Sequence, residues 1–394
     1  MEPLNSVIWH SATGEYEIKP HNPPKGAPPN FSKIVSSPFK AIVIPDMELL
    51  GCFYANSKHN EAQVLTLRTE KSLPIGYLMR ASTVFSKEAG YADKTWFQKA
   101  AVLTGYWALQ YVDISDSSIS DDHVNIDDLF NDSISVMILN RADALIHGIE
   151  HQQQIDAHLF SLGFMRIKHL EAEEWIPGKH AANRLNSSGA SVNLLAIPTK
   201  NIHQKFLDEI FTRFIPESTL PLARFFYFYQ VIELLMEEIA DASFSASLVR
   251  LTEHKENHNA ALFRKEAQQL QSAFKEGTRL KALFALPSDL PQEFPLLKEA
   301  CSKTLRSIGY ALGNSTAELL YDVRNQIFHN YRFSGAAFED SLPEINELLE
   351  VVIPDLLIEV LTKRSHIKVE VPDHFTLVDL TSSDLFFGQS LARM

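Results

Sequence analysis

Residues 315–332 hold four side chains suited to chemistry on a phosphodiester: Arg324, Asn325, His329 and Tyr331. An imidazole titrates near neutral pH, so His329 can take a proton from a ribose 2′-hydroxyl or return one to a leaving oxygen. A guanidinium keeps its charge and offers a fork of donors to phosphate oxygens as negative charge builds up. Asn325 and His329 are four apart, hence neighbours on a helix, where the amide can hold the imidazole in one tautomer or meet the phosphate itself. Arg324 and His329 are five apart and diverge by about 140° on a regular helix. One copy therefore aims them poorly at a single phosphate. Two copies about a two-fold axis can line one cleft with both, so the pattern predicts a homodimer.

The elements that must carry these residues are helical. Ser315 and Glu318 have the spacing of a capping box, which predicts a helix start. Leu320, Val323 and Ile327 form its inward stripe, and 315–332 reads as one short helix. Upstream, Leu222 to Ala240 is apolar on nearly all sides and reads as a central helix, with Pro221 in its first turn. Glu233 sits inside that apolar stretch. A carboxylate there is costly unless paired, and Arg324 is a natural partner; the alternative is a Glu at the edge of the core that reaches water. Ile202 to Phe214, about Glu256 to Phe284, Leu296 to Tyr310 and Leu342 to Thr362 complete the expected helices, the last with a kink at Pro354. Its stripe from Ile345 to Val360 suits a bundle core or a dimer seam.

A bare Arg-x4-His spacing is common, and Arg141 and His147 match it with five spacers. What distinguishes Arg324–His329 is the Asn after the Arg, the helix, and the Glu233 helix lying upstream in the same half. That combination, Arg-Asn-x-x-x-His in a helical C-terminal region with the run Phe228 to Leu235 before it, resembles the HEPN superfamily and its ApeA-like group. The likeness covers roughly residues 203–365. It implies an all-helical module and metal-independent, cofactor-free RNA cleavage to a 2′,3′-cyclic phosphate, with Arg324, Asn325 and His329 in the site and Glu233 orienting Arg324. It also implies a setting among toxins and anti-phage or abortive-infection effectors, with tRNA or mRNA as substrate and a regulatory protein or phage-derived trigger. Arg-x4-His-x-Tyr further resembles HEPN toxins whose tyrosine is adenylylated, which would make Tyr331 a modification site. The residues alone read Tyr331 as a packing or interface aromatic. A rival within the resemblance is a non-catalytic dimer that binds nucleotide or protein.

Composition bounds these readings. The 394 residues suffice for two domains, and 45% hydrophobic with 22% charged is a globular balance. The net charge of −13 argues against a general nucleic-acid coat or a membrane-surface protein. Positive charge gathers locally in residues 250–281, where Arg250, Lys255, Arg264, Lys265, Lys275, Arg279 and Lys281 face four glutamates, a pattern that reads first as a solvated helix face. Two cysteines, Cys52 and Cys301, make no disulfide framework and suit a reducing cytoplasm. The N-terminus shows no secretory pattern, and no run is long and apolar enough for a membrane span, so a cytoplasmic protein is expected.

The first half reads as mixed α and β. Strands are expected within residues 1–40, at Lys40 to Pro45, Leu49 to Tyr54, Val64 to Arg68 and Ser191 to Ile197, with a Pro/Gly-rich loop from His21 to Asn30. Helices are expected from Asp93, as cap, to Tyr111 and from about Ile134 to Phe160, with an acidic surface loop or short polar helix over 113–132 between them. The whole is thus an α+β chain: a mixed domain over 1–199 acting as sensor or brake, a HEPN-like helical domain over 200–365, and a tail over 366–394 with one strand at Ile367 to Val371. His147, Glu150 and His151 spell the inverted zinc-peptidase motif. On a helix the two imidazoles could share a metal beside Glu150. Without a third ligand downstream, the stretch reads instead as a polar helix face continued by His158.

Overall fold

A computed structural model describes the chain from residue 5 to residue 366 except 11, 22–31, 38–48, 61–62, 70, 87–93, 112–122, 126–129, 131–132, 168–174, 199–203, 257–258, 287–292 and 311–312. It has an α+β fold, sheets in the first half and helices in the second. The expected strands at Lys40 to Pro45 and Ile367 to Val371, and Asp93 as a cap, lie outside the described residues.

The first strands are Asn5–His10 (β1), Glu15–Pro20 (β2), Lys33–Ser36 (β3), Leu49–Ala55 (β4), Leu65–Arg68 (β5) and Pro74–Arg80 (β6). His123–Asn125 (β7), Ile134–Asn140 (β8), Met165–Arg166 (β9) and Ser191–Asn193 (β10) follow. They form a four-stranded sheet in the order β1-β2-β3-β7 and a six-stranded one in the order β10-β5-β6-β8-β4-β9. Helices α1 (Ala81–Phe85), α2 (Thr95–Tyr111), α3 (Arg141–Ile146), α4 (Gln153–Ser161) and α5 (Lys179–Ser187) lie between the strands in sequence.

The expected helix from Ile134 is overturned at its start. Residues 134–139 are buried without a break, and β8 lies centrally between β6 and β4. A short apolar run buried on both faces has no alternation to mark it as a strand. His158, expected on a polar face, has both ring nitrogens enclosed, and burial together with nearby Arg184 pushes its pKa down to about 4.

In the second half, α6 (Gln204–Glu209), a π-helical turn (Ile210–Phe214) and α7 (Ile215–Glu217) lead into α8, which runs unbroken over Pro221–Glu256. Helix formation thus persists past Ala240 through a Ser-rich stretch with no Gly or Pro to stop it. The single helix expected over Glu256 to Phe284 is instead α9 (Ala260–Ala273) and α10 (Glu276–Phe284), parted where Lys275 turns extended. After α11 (Glu293–Ser307), one 51-residue helix, α12 (Thr316–His366), replaces the two helices expected over 315–332 and 342–362. Pro343 and Pro354 lie within it. The Ser315–Glu318 capping box forms: Glu318 N donates to Ser315 Oγ at 3.2 Å, and Ser315 N to Glu318 Oε2 at 3.1 Å.

A single cluster of buried apolar side chains runs from the sheets (Tyr16, Val136) through α2 and α4 into α8, α11 and α12 (Phe228, Leu297, Leu349). Ion pairs knit the same boundary. Arg184 of α5 meets Glu293 of α11 and Asp355 of α12, each through two hydrogen bonds of 2.8–3.1 Å. Arg224 of α8 pairs with Glu350 of α12, whose other oxygen accepts from Gly178 N at 2.9 Å.

Candidate functional site

Val323 and Ile327 are buried in the core, and the turn they anchor presents Arg324 toward α8 and α10. Its guanidinium is enclosed from several sides. Nη1 donates to Asn325 Oδ1 at 3.1 Å, and Nη2 lies 3.5 Å from Glu233 Oε1. Nε lies 3.9 Å from Glu276 Oε1, too far for a hydrogen bond, and is a buried donor without an acceptor. The guanidinium carbon also stands 4.3 Å from the Phe328 ring centre and 5.5 Å from that of Tyr229. Cation–π attraction and two carboxylates thus fix the charge in place.

Those carboxylates are not equivalent. Burial pushes the Glu233 carboxyl above its ordinary value, and Arg324 offsets part of that while Glu276 adds to it. Glu276 accepts a hydrogen bond from the Tyr229 hydroxyl at 3.1 Å. Burial, with the Glu276 charge second, holds the Tyr229 phenol well above its ordinary range. Glu233 therefore faces Arg324 as the sequence suggests, but it shares the task.

Asn325 spends its side-chain oxygen on Arg324, not on His329. His329 is exposed, and no hydrogen bond or ion pair among the described residues joins it to Arg324 or Asn325. The structure brings together Arg324, Asn325 and Glu233 and leaves His329 apart on the solvent side, as the spacing of five requires. The Tyr331 side chain lies outside the described residues.

Sequence reasoning missed Glu276, Tyr229 and Phe328. Phe328 was within reach, since Arg324 and Phe328 are four apart on one helix face. Nothing in the sequence links Glu276 to Arg324, because the break before α10 aims it.

The inverted zinc motif is not helical. His147 ends α3, Gly148 has φ +76°, and the backbone amides of Glu150 and His151 both donate to Gln154 Oε1, at 2.7 and 2.9 Å. Helical i, i+4 stacking of the imidazoles is therefore absent. Among the described residues no group of three or more His, Cys, Asp or Glu is placed to hold a metal, and no helix is long and apolar enough to cross a membrane.

No family model, no curated protein and no solved structure matches this chain.

Proposed function

We propose that the chain is a metal-independent endoribonuclease of HEPN type, acting as a homodimer in the cytoplasm as a toxin or an anti-phage, abortive-infection effector. The observation that carries the reading is the held guanidinium of Arg324, braced by Glu233 and Asn325 and backed by Phe328, five residues from an exposed imidazole. In the proposed step His329 removes the proton from a ribose 2′-hydroxyl, and that oxygen attacks the neighbouring phosphorus. The bond to the 5′-oxygen breaks, and the leaving oxygen takes a proton from the second copy's His329, which enters the step as imidazolium and leaves it neutral. The products are a 2′,3′-cyclic phosphate and a 5′-hydroxyl. Arg324 neutralises the charge gathering on the phosphate, the role in which a fixed cation contributes most.

A non-catalytic dimer that binds nucleotide or protein is favoured by one feature: each chain already sets two carboxylates against Arg324. The experiment separates the two. Purified protein incubated with total RNA in EDTA should generate 2′,3′-cyclic ends, and His329→Ala should slow this by about 100-fold or more, the usual worth of a general acid–base group. Cleavage equal in wild type and His329→Ala, or none in either, would replace the enzyme with the binder.

A further inference from the structure

Strands β6 and β8 meet α2 and α3 around a recess of about 380 Å³, lined among others by Tyr77, Ile138, Trp96, Lys99, Asn140 and Asp143. Its volume falls within the range of small-molecule sites, about 300–1,000 Å³. The strand register sets Tyr77 directly opposite Ile138. Side chains alternate along a strand, so Asn140 emerges on the same side as Ile138, at the end of β8. Trp96 and Lys99 are three apart on α2 and share one helix face. The Tyr77 and Trp96 rings are stacked, their centres 4.1 Å apart and their planes 14° from parallel. Both rings are only half-buried, whereas Phe97 beside them is fully enclosed.

The polar groups beside this stack are unspent. Among the described residues neither the Lys99 ammonium nor the Asp143 carboxylate has a partner, and the two do not pair with each other although they line one recess. Asn140 gives its side-chain oxygen to Asp143 N at 3.2 Å, which leaves its amide hydrogens to donate. An anionic ligand would meet Asp143 and a cationic one Lys99, so the set favours a ligand of no net charge. An aliphatic ligand would leave both charges unanswered. A sugar brings hydroxyls but no π face to extend the stack. A nucleobase answers the whole set, because its faces stack on aromatic rings while its edge carries donors and acceptors together.

We propose that this recess binds one purine base, delivered as a free nucleoside. The base stacks on the Tyr77–Trp96 pair. Its ring N–H or amino groups donate to the Asp143 carboxylate, and its carbonyl or ring nitrogens accept from Lys99 and Asn140. A purine covers more of the two rings than a pyrimidine does. The site belongs to the sheet-bearing half and is independent of Arg324. It gives the sensor role expected of residues 1–199 a ligand to sense.

The test is isothermal titration calorimetry of the full chain with guanosine and with adenosine. At least one should bind. Trp96→Ala should weaken that binding by about fivefold or more, the range for losing one stacked base. Asp143→Asn and Lys99→Gln should each weaken it by about tenfold or more, the worth of a hydrogen bond to a charged group. Both of these side chains are half-exposed, so they report on the site even if Trp96→Ala unfolds the chain, which circular dichroism checks. No binding of either purine at millimolar concentration, or affinities that Asp143→Asn and Lys99→Gln leave unchanged, would overturn the site. Tighter binding of glucose or of free tryptophan would replace the base with a sugar or a zwitterion. An all-purine oligoribonucleotide that binds more tightly than both nucleosides would replace the free ligand with an RNA strand. None of these readouts involves cleavage, so the site and the ribonuclease can fail separately.

Discussion

Arg324 sits between two opposing demands. A phosphate needs its charge free, yet Glu233 and Glu276 both approach it within 4 Å. A carboxylate at that distance competes directly with an incoming phosphate, by an amount on the order of 1–4 kcal/mol between water and a protein surface. Glu276 is the looser partner, without a hydrogen bond to Arg324, and lies at the first residue of α10. Glu276→Gln should therefore tighten binding of a fluorescent 2′-O-methyl RNA strand, which lacks the attacking hydroxyl, by about threefold or more, measured by anisotropy. Weaker binding would mean that Glu276 positions Arg324 and does not restrain it.

At the level of elements, the start of α12 is set by chemistry that the sequence displays openly. Glu318 accepts from the backbone amides of Asn314, at 2.8 Å, and Ser315, and pairs with Lys281 at 2.6 Å. These contacts, Lys281 first, pull its pKa down to about 2. Because the folded value lies below the unfolded one, the stabilisation is present above about pH 4.5 and is lost as pH falls toward 2. Ser315→Ala removes the reciprocal bond and should cost about 1 kcal/mol in urea unfolding. The same reasoning could not find where α12 ends or where α9 meets α10. The helix runs through Pro354, where a kink is expected, and through Pro343 without a break, and most of residues 342–361 are buried. Lys275, by contrast, interrupts a stretch with no breaker at that point.

For the molecule as a whole, the important joint is the one between the sheet-bearing half and the helical half. Arg184 bridges Glu293 and Asp355 with bidentate geometry to both, and burial holds it in a partly enclosed position. Removing one member of such a set leaves the others uncompensated, which typically costs several kcal/mol. Arg184→Ala should lower unfolding stability by roughly 3 kcal/mol, read as a shift in urea midpoint. If the first half restrains the second, the same substitution should also raise RNA cleavage by the intact chain. A stable variant with unaltered cleavage would argue against restraint through this joint.

The capping box, the apolar stripe Leu320–Val323–Ile327, the central placement of α8 and the α+β character follow from local spacing and composition, because each depends on neighbours within a turn or two. Tertiary structure alone decided that Ile134–Asn140 is a strand, that α9 turns Leu262 and Phe263 outward, and that Glu276 meets Arg324. Those outcomes depend on residues distant in the chain: β8 on its partners β4 and β6, Glu266 on Arg250, Arg324 on α10. Which side a helix buries is set by the best pairing available across the fold: Glu266 is buried against half-exposed Arg250 while Leu262 and Phe263 of the same helix stay exposed.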